Sequence, residues 1–159
     1  MNKPAIRDQI LSQLRQELAL QTRAAQLSRE EAISEESRPE NQYDMHSQEA
    51  AYLAEGQARL AAEIASNIAL YETLTLPETP PGGLVTLGTA VAVENAGQRT
   101  WYFIGPRAGG LELQVENVPV LVLTPQSPLG RELLGKSVGD SVPVRMRGGF
   151  VLHHVVEIV

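Results

Sequence analysis

Glycine and proline are spread so unevenly that the chain must change architecture near its midpoint. Residues 4–76 contain one glycine, Gly56, and two prolines, Pro4 and Pro39; the other twelve glycines and eight prolines all lie in residues 77–159. Relative to alanine, glycine costs a helix interior about 1 kcal/mol and proline about 3 kcal/mol. Long helices are therefore predicted before the break, and short strands with tight turns after it. The stretch Pro77-Glu78-Thr79-Pro80-Pro81-Gly82-Gly83 suits neither a helix nor a central strand, so residues 77–83 are predicted as a linker between a unit at 1–76 and a unit at 84–159.

The first unit carries helical periodicity twice. Ile10, Leu11, Leu14, Leu18, Ala25 and Ala32 fall on one face at helical spacing. Leu53, Gln57, Leu60, Ile64, Asn67, Tyr71 and Leu74 then alternate by four and three, the rhythm of a coiled-coil seam. Between the two runs, Pro39 forbids one continuous helix. Two antiparallel helices of roughly 28 residues each, reaching about 40 Å, satisfy the pattern. Asn67 is read equally as a register-setting polar group and as an exposed position.

After the break, apolar runs alternate with turn residues. Leu84–Val93, Arg99–Gly105, Leu111–Val115, Val118–Leu123, Ser141–Arg147 and Phe150–Val159 read as strands, with Asn95-Ala96-Gly97 and Gly148-Gly149 as hairpin turns. One segment departs from this: Ser127 is placed to cap a helix, Pro128 to open it and Gly135 to stop it. The fold class is α+β, an antiparallel helical hairpin followed by an antiparallel β domain with one short helix.

Charge narrows the function classes. Residues 1–76 hold 7 basic and 12 acidic side chains, net −5, and residues 77–159 hold 6 and 7, net −1. Such a field repels phosphate backbones, so no autonomous DNA or RNA binding is expected. No apolar run approaches the ~18 residues of a membrane span, and the first residues lack the apolar core of a secretory signal; a cytoplasmic location is the expectation. With no cysteine in the chain, thiolate zinc sites and cysteine nucleophiles are excluded. The acids crowd around the predicted bend: Glu30, Glu31, Glu35, Glu36, Glu40 and Asp44 face one base, Arg38. From charge alone such a run reads as a solvated loop.

The run Ser127-Pro128-Leu129-Gly130-Arg131-Glu132-Leu133-Leu134-Gly135-Lys136, continued by Val138-Gly139-Asp140-Ser141-Val142, closely resembles the C-terminal signature of the GreA/GreB transcription elongation factors. Leu87-Gly88-Thr89-Ala90-Val91 is similar to the family's Gly-Ser/Ala-Thr-Val segment, and the order of parts agrees over the whole chain. This resemblance implies an FKBP-like fold for the β domain. It also implies a monomer that is not itself an enzyme, with RNA polymerase as partner and the helical hairpin entering the polymerase's secondary channel. There, acidic residues at the tip present oxygens to magnesium shared with the polymerase active site and stimulate cleavage of backtracked RNA. Aligned on Glu40-Asn41, the family's tip glutamate falls on Glu40 and its aspartate on Ser37, and the stretch Glu35–Gln57 is similar to a divergent Gre-like branch. Glu40 carries the motif match and Glu36 is the carboxylate nearest the vacant aspartate position, so catalytic roles are expected of these two and metal contacts of Glu36, Glu40 and Asp44, with Glu35 in reserve; the resemblance implies contact with the polymerase rim for Ser127, Pro128 and Leu129.

Ser37 in the aspartate position keeps open a channel occupant that inhibits or retunes transcription without cleavage. A peptidyl-prolyl isomerase would need an aromatic pocket, and the β domain has only Trp101, Tyr102, Phe103 and Phe150 to build one. A coiled-coil adaptor that homodimerises is the third alternative. His153 and His154 are neighbours on a strand and point to opposite faces, so they cannot chelate one metal together.

Overall fold

Asn2 starts the first helix: its side-chain oxygen accepts a hydrogen bond from the Ala5 amide at 3.0 Å, and Pro4 sits in the first turn, where its missing N–H costs nothing. The structure, a computed structural model, describes residues 1–36, 44–78 and 83–159. Helix α1 runs Lys3–Glu36 and α2 runs Asp44–Glu72. Six strands follow, β1 (Ala90–Asn95), β2 (Gln98–Ile104), β3 (Glu112–Val115), β4 (Val118–Leu123), β5 (Ser141–Met146) and β6 (Gly149–Ile158), with the short helix α3 (Pro128–Leu133) between β4 and β5. The chain divides into two compact units, Ser12–Ala69 and Met1–Leu11 with Leu70–Val159. Of the expected linker, residues 79–82 lie outside the described residues.

In the helical unit the two helices pair antiparallel. Ser28 Oγ donates to Gln57 Oε1 at 3.0 Å and Ser47 Oγ donates to the Ala32 carbonyl at 3.4 Å, so later positions on α1 meet earlier ones on α2. The residues turned inward on α1 are Leu14, Leu18, Gln21, Ala25, Ser28 and Ala32, spaced by four and three. Those on α2 are Ser47, Ala50, Ala54, Gln57, Ala61, Ile64 and Ile68, with the same spacing. This corrects the expected α2 seam. Ile64 and Gln57 belong to it, but Leu53 and Leu60 are 56% and 42% exposed, and Ala54 and Ala61 take the inward places. The two hydrogen bonds fix the register, and the small side chains let the backbones approach while the leucines stand beside the seam. One side of the pair is left as an alanine-walled groove, with Ala25, Ala32, Ala54, Ala58 and Ala61 in its lining.

The other unit is built on one sheet of order β3-β4-β2-β1-β6-β5. It is mixed rather than wholly antiparallel, because β2 pairs with β4 in parallel from Trp101↔Val120 to Ile104↔Leu123. The chain leaving β2 crosses to the sheet edge as β3, and a tight turn brings β4 back between them. That turn is Glu116-Asn117, with φ of 53° and 65°, and the β1–β2 turn is Ala96-Gly97, with φ of 48° and 77°. Both are left-handed pairs of the kind that matches strand twist in two-residue hairpins. β1 begins at Ala90 rather than at Leu84 as expected. Gly88 has φ +83°, its amide donates to the Ile104 carbonyl, and Thr89 Oγ1 donates to the Thr86 carbonyl at 2.7 Å, so residues 86–89 form a turn.

Both faces of the central strands are covered. One carries Val85, Val91, Val93, Tyr102, Ile104, Leu123, Val142 and Val155 under Leu133, with Leu129 and Leu134 of the α3 segment packed against the cluster. On the opposite face the alternate residues Trp101, Phe103, Val120 and Val122 are also buried. Tyr71 lies on this side: a methyl built on Gly105 would fall on its hydroxyl and within 3.1 Å of Val122 Cγ1. That hydroxyl donates to the Arg107 carbonyl at 2.7 Å. The start of α1 belongs to the same unit. Ile6 and Ile10 are fully buried, Gln9 Nε2 donates to the Gln114 carbonyl on edge strand β3, and Lys3 Nζ donates to the Pro77 carbonyl.

Candidate functional site

The backbone brackets the acidic tip. Helix α1 closes at Glu36 and α2 opens at Asp44. Glu40 lies outside the described residues, as do the side chains of Glu35, Glu36 and Asp44. The described carboxylates flanking the bend are Glu30, Glu31 and Glu49, all exposed. Glu49 stands 4.0 Å from His46 Nδ1. Among the described residues no three His, Asp or Glu side chains come together in a metal-binding group. Described residues alone therefore provide no magnesium set; of the expected ligands, Glu36 is the last residue of α1, Asp44 the first of α2, and Glu40 lies outside the described residues.

Ser127, Pro128 and Leu129 come together at the start of α3, and each has local structural work. Ser127 is extended (φ −68°, ψ 149°); its Oγ accepts from the Gly130 amide at 3.1 Å and donates to the Thr124 carbonyl at 2.8 Å. Pro128 opens the helix with an exposed ring, and Leu129 turns into the core cluster. A methyl built on Gly130 would fall on the Thr124 carbonyl oxygen, so only glycine fits. Gly135 takes φ +76°, and its amide donates to the Val85 carbonyl at 2.8 Å while the Val85 amide donates to the Lys136 carbonyl at 2.9 Å. Asp140 Oδ2 accepts from the Ser137 amide at 2.7 Å. The signature thus encodes a cap, a close approach and two turns, and the exposed member of the expected contact set is Pro128.

Buried titratable groups lie elsewhere. Burial is the main cause that pushes the Tyr71 phenol above its usual range. Burial raises Tyr102 likewise. Burial lowers the Lys3 ammonium, with Glu78 acting in the opposite sense. The two adjacent histidines have separate partners: His154 Nδ1 is 2.9 Å from Ser141 Oγ, and His153 Nδ1 is 3.2 Å from the Val151 carbonyl.

The strand pattern did not announce an exposed apolar face on the β5–β6 hairpin. Directly paired residues point to the same side, so Phe150 with Arg145, Leu152 with Pro143 and His154 with Ser141 share one face. Phe150 is 73% exposed and Leu152 58%. The other three β-domain aromatics, Trp101, Tyr102 and Phe103, are all buried in the sheet. An alternating apolar run predicts a strand but not which side is left uncovered.

Residues 80–159 match the family model described as "Transcription elongation factor, GreA/GreB, C-term". A curated relative, transcription elongation factor GreA of Syntrophus aciditrophicus (strain SB), is 32% identical over 99 residues, which are 60% of this chain. The chain spans about half the length of that relative, 56%. Among solved structures, Gfh1 of Thermus aquaticus is 25% identical with a TM-score of 0.40, covering 95% of this chain and 92% of that one. A GreA/GreB factor from Nitrosomonas europaea is 17% identical with a TM-score of 0.39, covering 72% and 94%. The family model takes in the capped helix, its glycine stop and all six strands, and the chain accordingly belongs to the GreA/GreB transcription elongation factor family.

Proposed function

We propose that this protein binds RNA polymerase, inserts its helical pair into the secondary channel and stimulates cleavage of backtracked RNA. The observation that carries the reading is the antiparallel pairing itself: α1 ends at Glu36 and α2 starts at Asp44, so these two acidic positions, with Glu40 between them in the sequence, fall at the same end of the pair. Glu36 and Glu40 would supply oxygens to a magnesium ion shared with the polymerase, and Asp44 would assist. Magnesium favours such mixed sets of carboxylate and phosphate oxygens. When bound, the metal activates water and stabilises the leaving oxygen. The Ser127–Pro128 edge would grip the channel rim through the exposed Pro128 ring.

Cleavage of a stalled transcript by purified polymerase tests this reading. Wild type should accelerate it, and Glu36→Ala with Glu40→Ala should remove most of the acceleration while polymerase binding persists. Cleavage at the wild-type rate in the double variant would refute the lent-carboxylate mechanism. Ser37, where the family has an aspartate, supports a second reading in which the same insertion inhibits transcription. Binding without cleavage, together with slowed elongation, would select it.

A further inference from the structure

We infer that the uncovered face of the β5–β6 hairpin is a second docking surface for RNA polymerase, fitting an apolar patch rimmed by carboxylates; the inference rests on the polymerase reading above. Phe150 and Leu152 project from the same face of β6, with Pro143 across from Leu152 on β5 and Arg145 directly across from Phe150. Exposed apolar clusters of this kind on a folded domain mark interaction sites.

Charge selects the occupant. Residues 141–153 contain Arg145 and Arg147 and no carboxylate, in a chain of net charge −6. Both arginines are exposed, and neither forms an ion pair among the described residues. The neighbouring acids are engaged: Glu94 and Glu157 share Arg99, and Asp140 accepts from the Ser137 amide. An acidic rim on the partner meets this local positive charge. Leu152 and Pro143 outnumber the one aromatic on this face, a composition for a protein surface rather than for stacked bases. Strand addition is disfavoured, since Pro143 leaves the middle of edge strand β5 without an amide to donate.

Location adds a second argument. Val142 and Val144 alternate with Pro143 and Arg145, so they point to the opposite face, where Leu129 and Leu134 pack. The α3 start and the Phe150–Leu152 patch therefore flank the same sheet edge from its two sides. One partner straddling that edge would touch both.

The test is binding of the full chain to purified core RNA polymerase, for wild type, Phe150→Ser with Leu152→Ser, and Arg145→Glu with Arg147→Glu. All substituted side chains are exposed, and Trp101 fluorescence reports whether the sheet is intact. The expected result is at least about tenfold weaker binding for the apolar variant, the size of a hot-spot pair. The charge variant should also bind more weakly, with the loss largest at low salt. Wild-type affinity in both variants overturns the inference and leaves the polymerase reading standing. Absence of wild-type binding overturns both. Binding of a labelled RNA oligomer that Phe150→Ser abolishes, or a concentration-dependent dimer that the apolar variant dissolves, would reassign the patch and overturn it as well.

Discussion

Gly105 and Tyr71 form a pair whose energies are coupled by a single oxygen atom. A methyl placed on Gly105 lands on the Tyr71 hydroxyl, with Tyr71 Cζ and Val122 Cγ1 each 3.1 Å away. Gly105→Ala must push that hydroxyl aside, at the cost of about 1–3 kcal/mol for overpacking. Displacement also breaks the 2.7 Å bond to the Arg107 carbonyl, worth about 0.5–1.5 kcal/mol. Lower entropy of the unfolded chain returns about 0.4–1 kcal/mol, leaving a net loss of about 2 kcal/mol. Tyr71→Phe alone loses only the hydrogen bond, about 1 kcal/mol. With the oxygen gone the new methyl meets nothing closer than 3.1 Å, so the double variant should lose about 1 kcal/mol rather than about 3. Urea unfolding followed by Trp101 fluorescence measures all four corners of the cycle. Additive losses, within about 0.5 kcal/mol, would refute the contact.

Alkaline pH probes the same tyrosine. Its folded pKa is raised by burial, so its contribution is fully present below the unfolded value near 10. It is lost as pH climbs past that value, by up to about 1.4 kcal/mol per pH unit for this one group; Tyr102 acts in the same direction. Tyr71→Phe should flatten the decline in denaturant midpoints measured between pH 9 and 11, and an unchanged slope would count against the burial. In the helical unit, Ile64→Ala should cost about 2–5 kcal/mol, whereas Leu60→Ala should cost less than about 1 kcal/mol because much of that side chain is already in water. Helical circular dichroism in urea separates the two, and the reverse ranking would restore the leucine seam.

Residues with a strong local signal made much of this fold legible. Val118–Leu123 was readable to the residue, and the α3 segment was readable from its cap, proline and glycine stop. Other features rest on distant partners that no local pattern announces. Leu84, Val85 and Leu87 look like strand, yet Val85 is tied to Gly135 and Lys136 and Leu87 falls in the 86–89 turn, whose Gly88 bonds to Ile104, so β1 starts only at Ala90. The parallel pairing of β2 with β4 depends on where β3 goes, and nothing in either strand encodes that. Two positions of the α2 seam, Leu53 and Leu60 instead of Ala54 and Ala61, were misplaced by one residue because leucine signals burial more loudly than alanine. At the site, the Ser127 cap was readable, but the open face at Phe150 and Leu152 depends on what fails to cover it.

The strand order has a consequence for how the protein is made. β6, last of the six to leave the ribosome, sits between β1 and β5, and Val159 exchanges both backbone bonds with Ala90. Until β6 arrives, β1 shows a bare apolar margin, and β5 has no strand to pair with. Vectorial folding can assemble β1 through β4 early, but the sheet closes only once β6 has emerged. Losing residues 150–159 would strip out an interior rung rather than trim a border, orphaning β5 with it.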